Sequence, residues 1–160
     1  GPSGPPDDAV RDAHRATGAL LGYPPCCVEA FLERITRGVT ERASGGRASE
    51  DFVALEDAVR RSERHDPRAN VLRRRELGAL VAHYPCRHDC APTLALAGAV
   101  LTSLVARDRT AAMRLVDGLA EPITMALEGT LRVGPEALDA PLEGSIVVRW
   151  AWPSGGPPLS

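Results

Sequence analysis

Apolar positions recur at helical spacing along most of this chain, and only its C-terminal stretch alternates in the manner of strands. Residues 7–21 read as a first helix, with Asp7 or Asp8 as cap and Gly22 just past the end. A second helix starts in a Pro-Pro-Cys-Cys run. There Val28, Phe31, Leu32, Ile35 and Val39 fall at i, i+3, i+4, i+7 and i+11, forming one buried stripe. Ser44-Gly45-Gly46 ends that helix or the loop after it. Ser49 with Phe52, Leu55 and Val59 predicts a third helix, stopped before Pro67. Asn70 then caps a short fourth helix running to about Val81.

The fifth pattern is the strongest. Over residues 91–106 nothing is charged, and Leu94, Leu96, Val100, Leu101, Leu104 and Val105 cover most of the circumference. A helix apolar all round is buried, in a bundle or in a membrane. This run falls short of about 18 residues and is rich in Ala, Gly, Thr and Ser, so a central helix is predicted and no membrane span. Thr110 caps a sixth helix, Pro122 kinks it or opens a seventh, and Gly129 closes the helical part. Residues 130–133 and 145–150 then read as two strands joined by a loop containing Pro and Gly. The expected fold is mainly α: a six- or seven-helix bundle around the buried helix at 91–106, with a small C-terminal β-hairpin. One domain is expected over residues 7–152, with the hairpin at about 130–152. Residues 1–6 read as disordered or extraneous to the fold, and 153–160 as a disordered tail.

Composition narrows the chemistry. A chain of 160 residues can bury a real core without cysteine cross-links. The net charge of −2 gives no bulk case for nucleic acid or an anionic membrane. All positive charge is arginine, and the absence of lysine excludes a Schiff base and a Walker-type phosphate lysine. Four cysteines with no secretory signal fit an intracellular, cytoplasmic protein better than a disulfide-stapled one.

Those four cysteines sort into two matching motifs, Tyr23-Pro24-Pro25-Cys26-Cys27 and His83-Tyr84-Pro85-Cys86-Arg87-His88-Asp89-Cys90. Each follows an aromatic-proline step and precedes a helix. Pro25 and Pro92 suit first-turn positions, so both pairs stand at helix beginnings, where free N–H groups and the dipole favour thiolates. The expectation is one site for a metal or cluster, with Cys26, Cys27, Cys86 and Cys90 as ligands. The three-residue gap between Cys86 and Cys90 lies in the zinc range, but adjacent cysteines do not. Neighbours on a helix diverge by about 100°, with Cys27 inward and Cys26 outward, which suits a cubane better than one ion. A [4Fe-4S] cluster is therefore preferred, for electron transfer, sulfur delivery or substrate activation at one iron, which leaves Cys26 or a histidine free. Zinc is the alternative, in a non-catalytic binding module and with His83 or His88 able to replace one cysteine. A metal-free dithiol protein with Cys26 as nucleophile or persulfide carrier stands behind these, as does free cysteine used as a small core residue.

The run from Leu21 through Cys26-Cys27-Val28 to Phe31, with His83-x-Pro85-Cys86-x-x-x-Cys90, resembles a family of uncharacterised small helical proteins. In that family a YPxCC motif and an HxPCxxxC motif occur together. The likeness covers residues 21–31 and 83–90, with Asn70 upstream. It implies that Cys26, Cys27, His83, Cys86 and Cys90 act as one unit of metal-binding or iron–sulfur character.

Other residues carry weaker signals. His83 and His88 suit roles as ligand, proton donor or hydrogen-bond donor to sulfur. Asp89 reads as the cap of the central helix, and Tyr23 and Tyr84 as packing that shields the site. Arg60, Arg61, Arg64, Arg68, Arg73, Arg74 and Arg75 make a basic stretch that nucleic acid or a phosphate could use. Interspersed Glu63, Asp66 and Glu76, with no aromatic residue, favour a salt-bridged face. Trp150 and Trp152 share a face of the last strand and should pack it on the helices; His14 and His65 read as surface or helix-face residues. The physiological partner expected is a redox or small-molecule one, left unspecified by the sequence.

Overall fold

The computed structural model describes residues 7–43, 48–139, 141, 143–153 and 156–157, with backbone alone over 38–43. Ser44-Gly45-Gly46, the Val39 side chain, and most of the two termini therefore lie outside the described residues. Helix α1 runs Asp8–Leu20 and α2 Pro25–Ala43. Asp7 caps α1 by accepting from the Val10 N–H, and Gly22 turns the chain at φ 71°. Helix α3, Glu50–Arg61, is capped by Ser49 through the Phe52 N–H. A single 3-10 turn follows at Pro67–Ala69. Then come α4 Ala91–Arg107, α5 Arg109–Leu119, β1 Ile123–Met125, β2 Leu131–Val133, the short α6 Glu136–Asp139 and β3 Ile146–Val148. The architecture is mainly helical with a small antiparallel sheet near the C-terminus, as the pattern predicts.

Four details differ from expectation. Residues 70–81 form no helix, because Asn70 spends its side chain on tertiary structure. Its Nδ2 donates to the Leu119 carbonyl at 2.9 Å and its Oδ1 accepts from the Leu72 N–H at 3.2 Å. Gly78 at φ 109° then lets Leu77, Leu80 and Val81 turn inward separately. Helix α5 is capped by Asp108, whose carboxylate takes the Ala111 N–H, rather than by Thr110, which is the second residue of the helix. Helix α4 is buried on one side only: Thr93, Leu94, Ala97 and Leu101 face inward, while Leu96 and Val100 are 40% and 46% exposed. Pro122 neither kinks nor opens a helix; it leads into β1.

That extra strand changes the sheet. β2 and β3 do not pair with each other; β1 lies between them in the order β2-β1-β3. Ile123 stands opposite Val133 on one side and Val148 on the other, and all three residues of β1 are buried. Gly129, at φ 97°, closes the β1–β2 turn.

Two cores result. One joins α4 and α5 with Val71, Leu80 and Val81; the other joins α3 to the sheet through Phe52, Leu55, Ile123 and Trp150. Trp150 sits in the second core and Trp152 packs against the first, so both tie the C-terminal strand to the helices. A third, small cluster consists of Cys27, Ala30, Cys86 and Cys90.

Candidate metal centre

The cysteines arrive from two directions. Cys26 and Cys27 occupy the first turn of α2, directly after Pro25. Cys86 lies in the loop before α4, and Cys90 is the N-cap residue of α4 with Pro92 in the first turn behind it. All four sulfurs fall within 4.8 Å of one another, an arrangement that can hold a metal ion. The Cys90 Sγ stands 3.7 Å from that of Cys26 and 3.8 Å from that of Cys27. Adjacent cysteines converge despite their angular separation because every Cα–Cβ bond on a helix tilts toward its N-terminus. Side chains of a first turn can therefore meet at a point just beyond the helix end. No disulfide joins the cysteines; Cys27, Cys86 and Cys90 are buried and Cys26 is exposed.

The hydrogen bonding singles out Cys27. Its sulfur accepts from the Cys86 N–H at 3.3 Å and lies 3.3 Å from Thr93 Oγ1. The Cys86 thiol, with help from His83, Thr93 and the Cys86 N–H, holds Cys27 down at about 3 against the effect of burial. Cys86 is pushed up, first by its bond to Cys27 and then by burial. Burial and the charge on Cys27 push Cys26 up to about 11. The protein environment thus accepts one thiolate readily. Ionising the other two shifted thiols as well calls for a cation among them.

Thr93 and Arg34 are the residues that sequence reading missed. Thr93, fully buried in the first turn of α4, bridges Cys27 to His83, whose Nε2 lies 3.0 Å from its hydroxyl. The signal was available: position 93 is three residues after Cys90 and so shares its helix face. Arg34 lies seven residues after Cys27 on α2 and is 6% exposed, with both terminal guanidinium nitrogens unpartnered. Its guanidinium faces the Tyr84 ring at 5.9 Å. Burial lowers its pKa, opposed by the charges of Asp57 and Cys27, so it brings positive charge toward the cysteine cluster.

The histidines stand outside the sulfur group. His83 is held by Thr93 and packs on Tyr23 at 5.0 Å between ring centroids. His88 pairs through Nδ1 with His65 Nδ1 at 2.9 Å and packs on Trp150 at 4.7 Å. Burial, reinforced by His65, lowers the His88 pKa to about 3. His65 is half-buried between α3 and the 3-10 turn, edge-to-face against the rings of His88 and Trp150, and is neither a surface nor a helix-face residue. Asp89 does not cap α4; its carboxylate accepts from Arg87 and from the Glu63 N–H, tying the cysteine loop to the end of α3. Tyr84 donates its hydroxyl to Asp51 and accepts from Arg74 at 3.0 Å.

Much of the basic stretch is paired within the protein: Arg60 with Asp57, Arg61 with Glu33, Arg68 with Asp66, Arg73 with Glu121 and Arg74 with Asp51. Among the described residues no helix is long and apolar enough to cross a membrane. No family model, curated protein or solved structure matches this chain.

Proposed function

We propose that this chain is a metal-stabilised binding protein in which Cys26, Cys27, Cys86 and Cys90 hold one tetrahedral ion, zinc by preference. The sulfur spacing carries the reading. An ion with metal–sulfur bonds of about 2.3 Å sets tetrahedral sulfurs about 3.8 Å apart. The two measured separations, 3.7 and 3.8 Å, match that edge, and the remaining ones stay within 4.8 Å. Four thiolates leave no open position on the metal, so the ion acts as a clamp and not as a catalyst. Two helix N-termini and the Arg34 guanidinium supply the positive surroundings that a doubly negative four-thiolate centre needs. A reducing, intracellular setting such as the cytoplasm goes with this reading.

A [4Fe-4S] cluster on the same four cysteines is the second reading, favoured by the exposure of Cys26. Each thiolate of a cubane rests on its own iron, so its sulfurs stand wider apart than those on one ion. An exposed thiol at the edge of the group is the one free to swing outward.

Reconstitution with cobalt(II) tests the first reading. One cobalt per chain with the intense visible bands of a tetrahedral thiolate site is expected, and Cys86→Ala should abolish both. Full cobalt binding by Cys86→Ala, or the weak spectrum of an octahedral ion, would contradict a shared four-cysteine site.

A further inference from the structure

Beside the cysteine cluster lies a cavity of about 200 Å³, bounded by α1, the start of α2 and residues 82–84. Its walls include Tyr23, Phe31, His83 and Tyr84, with Cys27 bordering it on the cluster side. The chain has two tyrosines, two phenylalanines and two tryptophans, and three of those six residues line this one space. So heavy a concentration of scarce rings is not what random core filling gives.

The polar atoms of two of these rings are committed elsewhere. The Tyr84 hydroxyl is bound by Asp51 and Arg74, and the His83 Nε2 faces Thr93. Arg34 and Arg74 stand over the Tyr84 ring at 5.9 and 5.0 Å and Tyr23 packs on His83, so the apolar ring surface these contacts leave uncovered is what lines the cavity. No Arg, Asp or Glu lines it, and the imidazoles of His14 and His83 are the lining groups that can become cationic, so an ionic guest would find no permanent counter-charge. Size then sets the guest. An apolar cavity of about 150 Å³ accepts benzene, so this one takes a single ring bearing a small substituent.

We infer that this cavity is a binding site for a neutral, one-ring aromatic compound, held by Tyr23, Phe31, His83 and Tyr84 beside the cysteine cluster. The ring contacts supply offset and edge-to-face packing. Rigid walls supply preorganisation: His83 is fixed through Thr93, and Tyr84 through Asp51. The site shares Cys27 with the proposed metal centre, but it stands on its own walls and does not require that reading.

Titrating phenol and toluene into the purified full chain, followed by NMR and with metal content measured alongside, tests the inference. One molecule should bind per chain, with shifts concentrated in residues 14–31 and 82–84. Benzoate, the same ring with a charge, should bind about tenfold more weakly or worse. Ala82→Leu and Thr17→Phe add bulk to the lining, away from the cysteines. Each should weaken phenol by about tenfold while leaving metal content unchanged. Absence of saturable binding by both compounds to the wild-type chain overturns the inference, and so does binding that both variants leave intact. A chain that binds phenol but holds no metal upholds the cavity and sinks the metal centre instead.

Discussion

Asp57 carries its charge at 0% exposure because two arginines reach it from different places. Arg37 of α2 makes a bidentate pair at 2.9 and 2.7 Å, and Arg60 of α3 adds a contact at 2.6 Å. Burial pushes the carboxyl up, but the Arg37 and Arg60 interactions outweigh it and leave the pKa below its ordinary 3.8. A carboxyl depressed in the folded state stabilises fully above its unfolded value, and that stability is lost as pH falls through the folded one. The wild-type chain should therefore lose stability faster than Asp57→Asn from about pH 4 downward, and Asp57→Asn should be about 1–3 kcal/mol less stable at neutral pH. Thermal unfolding of both proteins between about pH 7 and pH 2 checks this. Parallel pH profiles would show that the pair contributes nothing specific. Sequence could not reveal Asp57, since its partners lie three and twenty positions away on different helices. The four cysteines were legible as one site because matching local context marked them, and their sulfurs do come together. The close approach of Cys26 and Cys27 was not, because it depends on the tilt of first-turn side chains and not on their angular separation alone.

Helices with a clear stripe and a capping residue were readable as elements. Asp7, one of the two candidates, caps α1, α3 opens directly after Ser49, and α2 begins at Pro25 in the cysteine motif as expected. Elements that depend on remote partners were not readable. The segment after Asn70 has helical composition but is held open by bonds to Leu119 and Gly118, far along the chain. Strand β1 has only three residues and exists because two other strands flank it. The α1–α2 contact is likewise a matter of pairing. Gly18 is the buried residue of α1, and a Cβ there would lie 2.5 Å from Cγ2 of Val28. Alanine in a helix normally gains about 1 kcal/mol over glycine, but this clash falls on a stiff β-branched neighbour. Gly18→Ala should destabilise by about 1–3 kcal/mol. In a Val28→Ala background the same change should become neutral or stabilising. Denaturant unfolding of the four proteins measures that cycle, and additive effects would mean the two helices do not meet closely at this point.

At the scale of the molecule, the cysteine cluster joins parts that sequence separates. Helices α1 and α2 pack as one hairpin and α4 and α5 as another. Cys26 and Cys27 open the second helix of the first hairpin, and Cys90 caps the first helix of the second. Cys86 comes from a loop with little regular structure, fixed through the Cys27 sulfur, the Ser62 hydroxyl and Asp89. A metal at this junction would tie both hairpins to the loop between them, and it would hold still the Tyr84 and His83 walls of the adjoining cavity. The account therefore turns on what the four sulfurs hold. Metal and inorganic sulfide content of anaerobically purified protein is the most direct measurement. About one zinc per chain with no sulfide is the predicted result. Iron and sulfide in about fourfold amounts, or a folded chain with no bound metal, would contradict it.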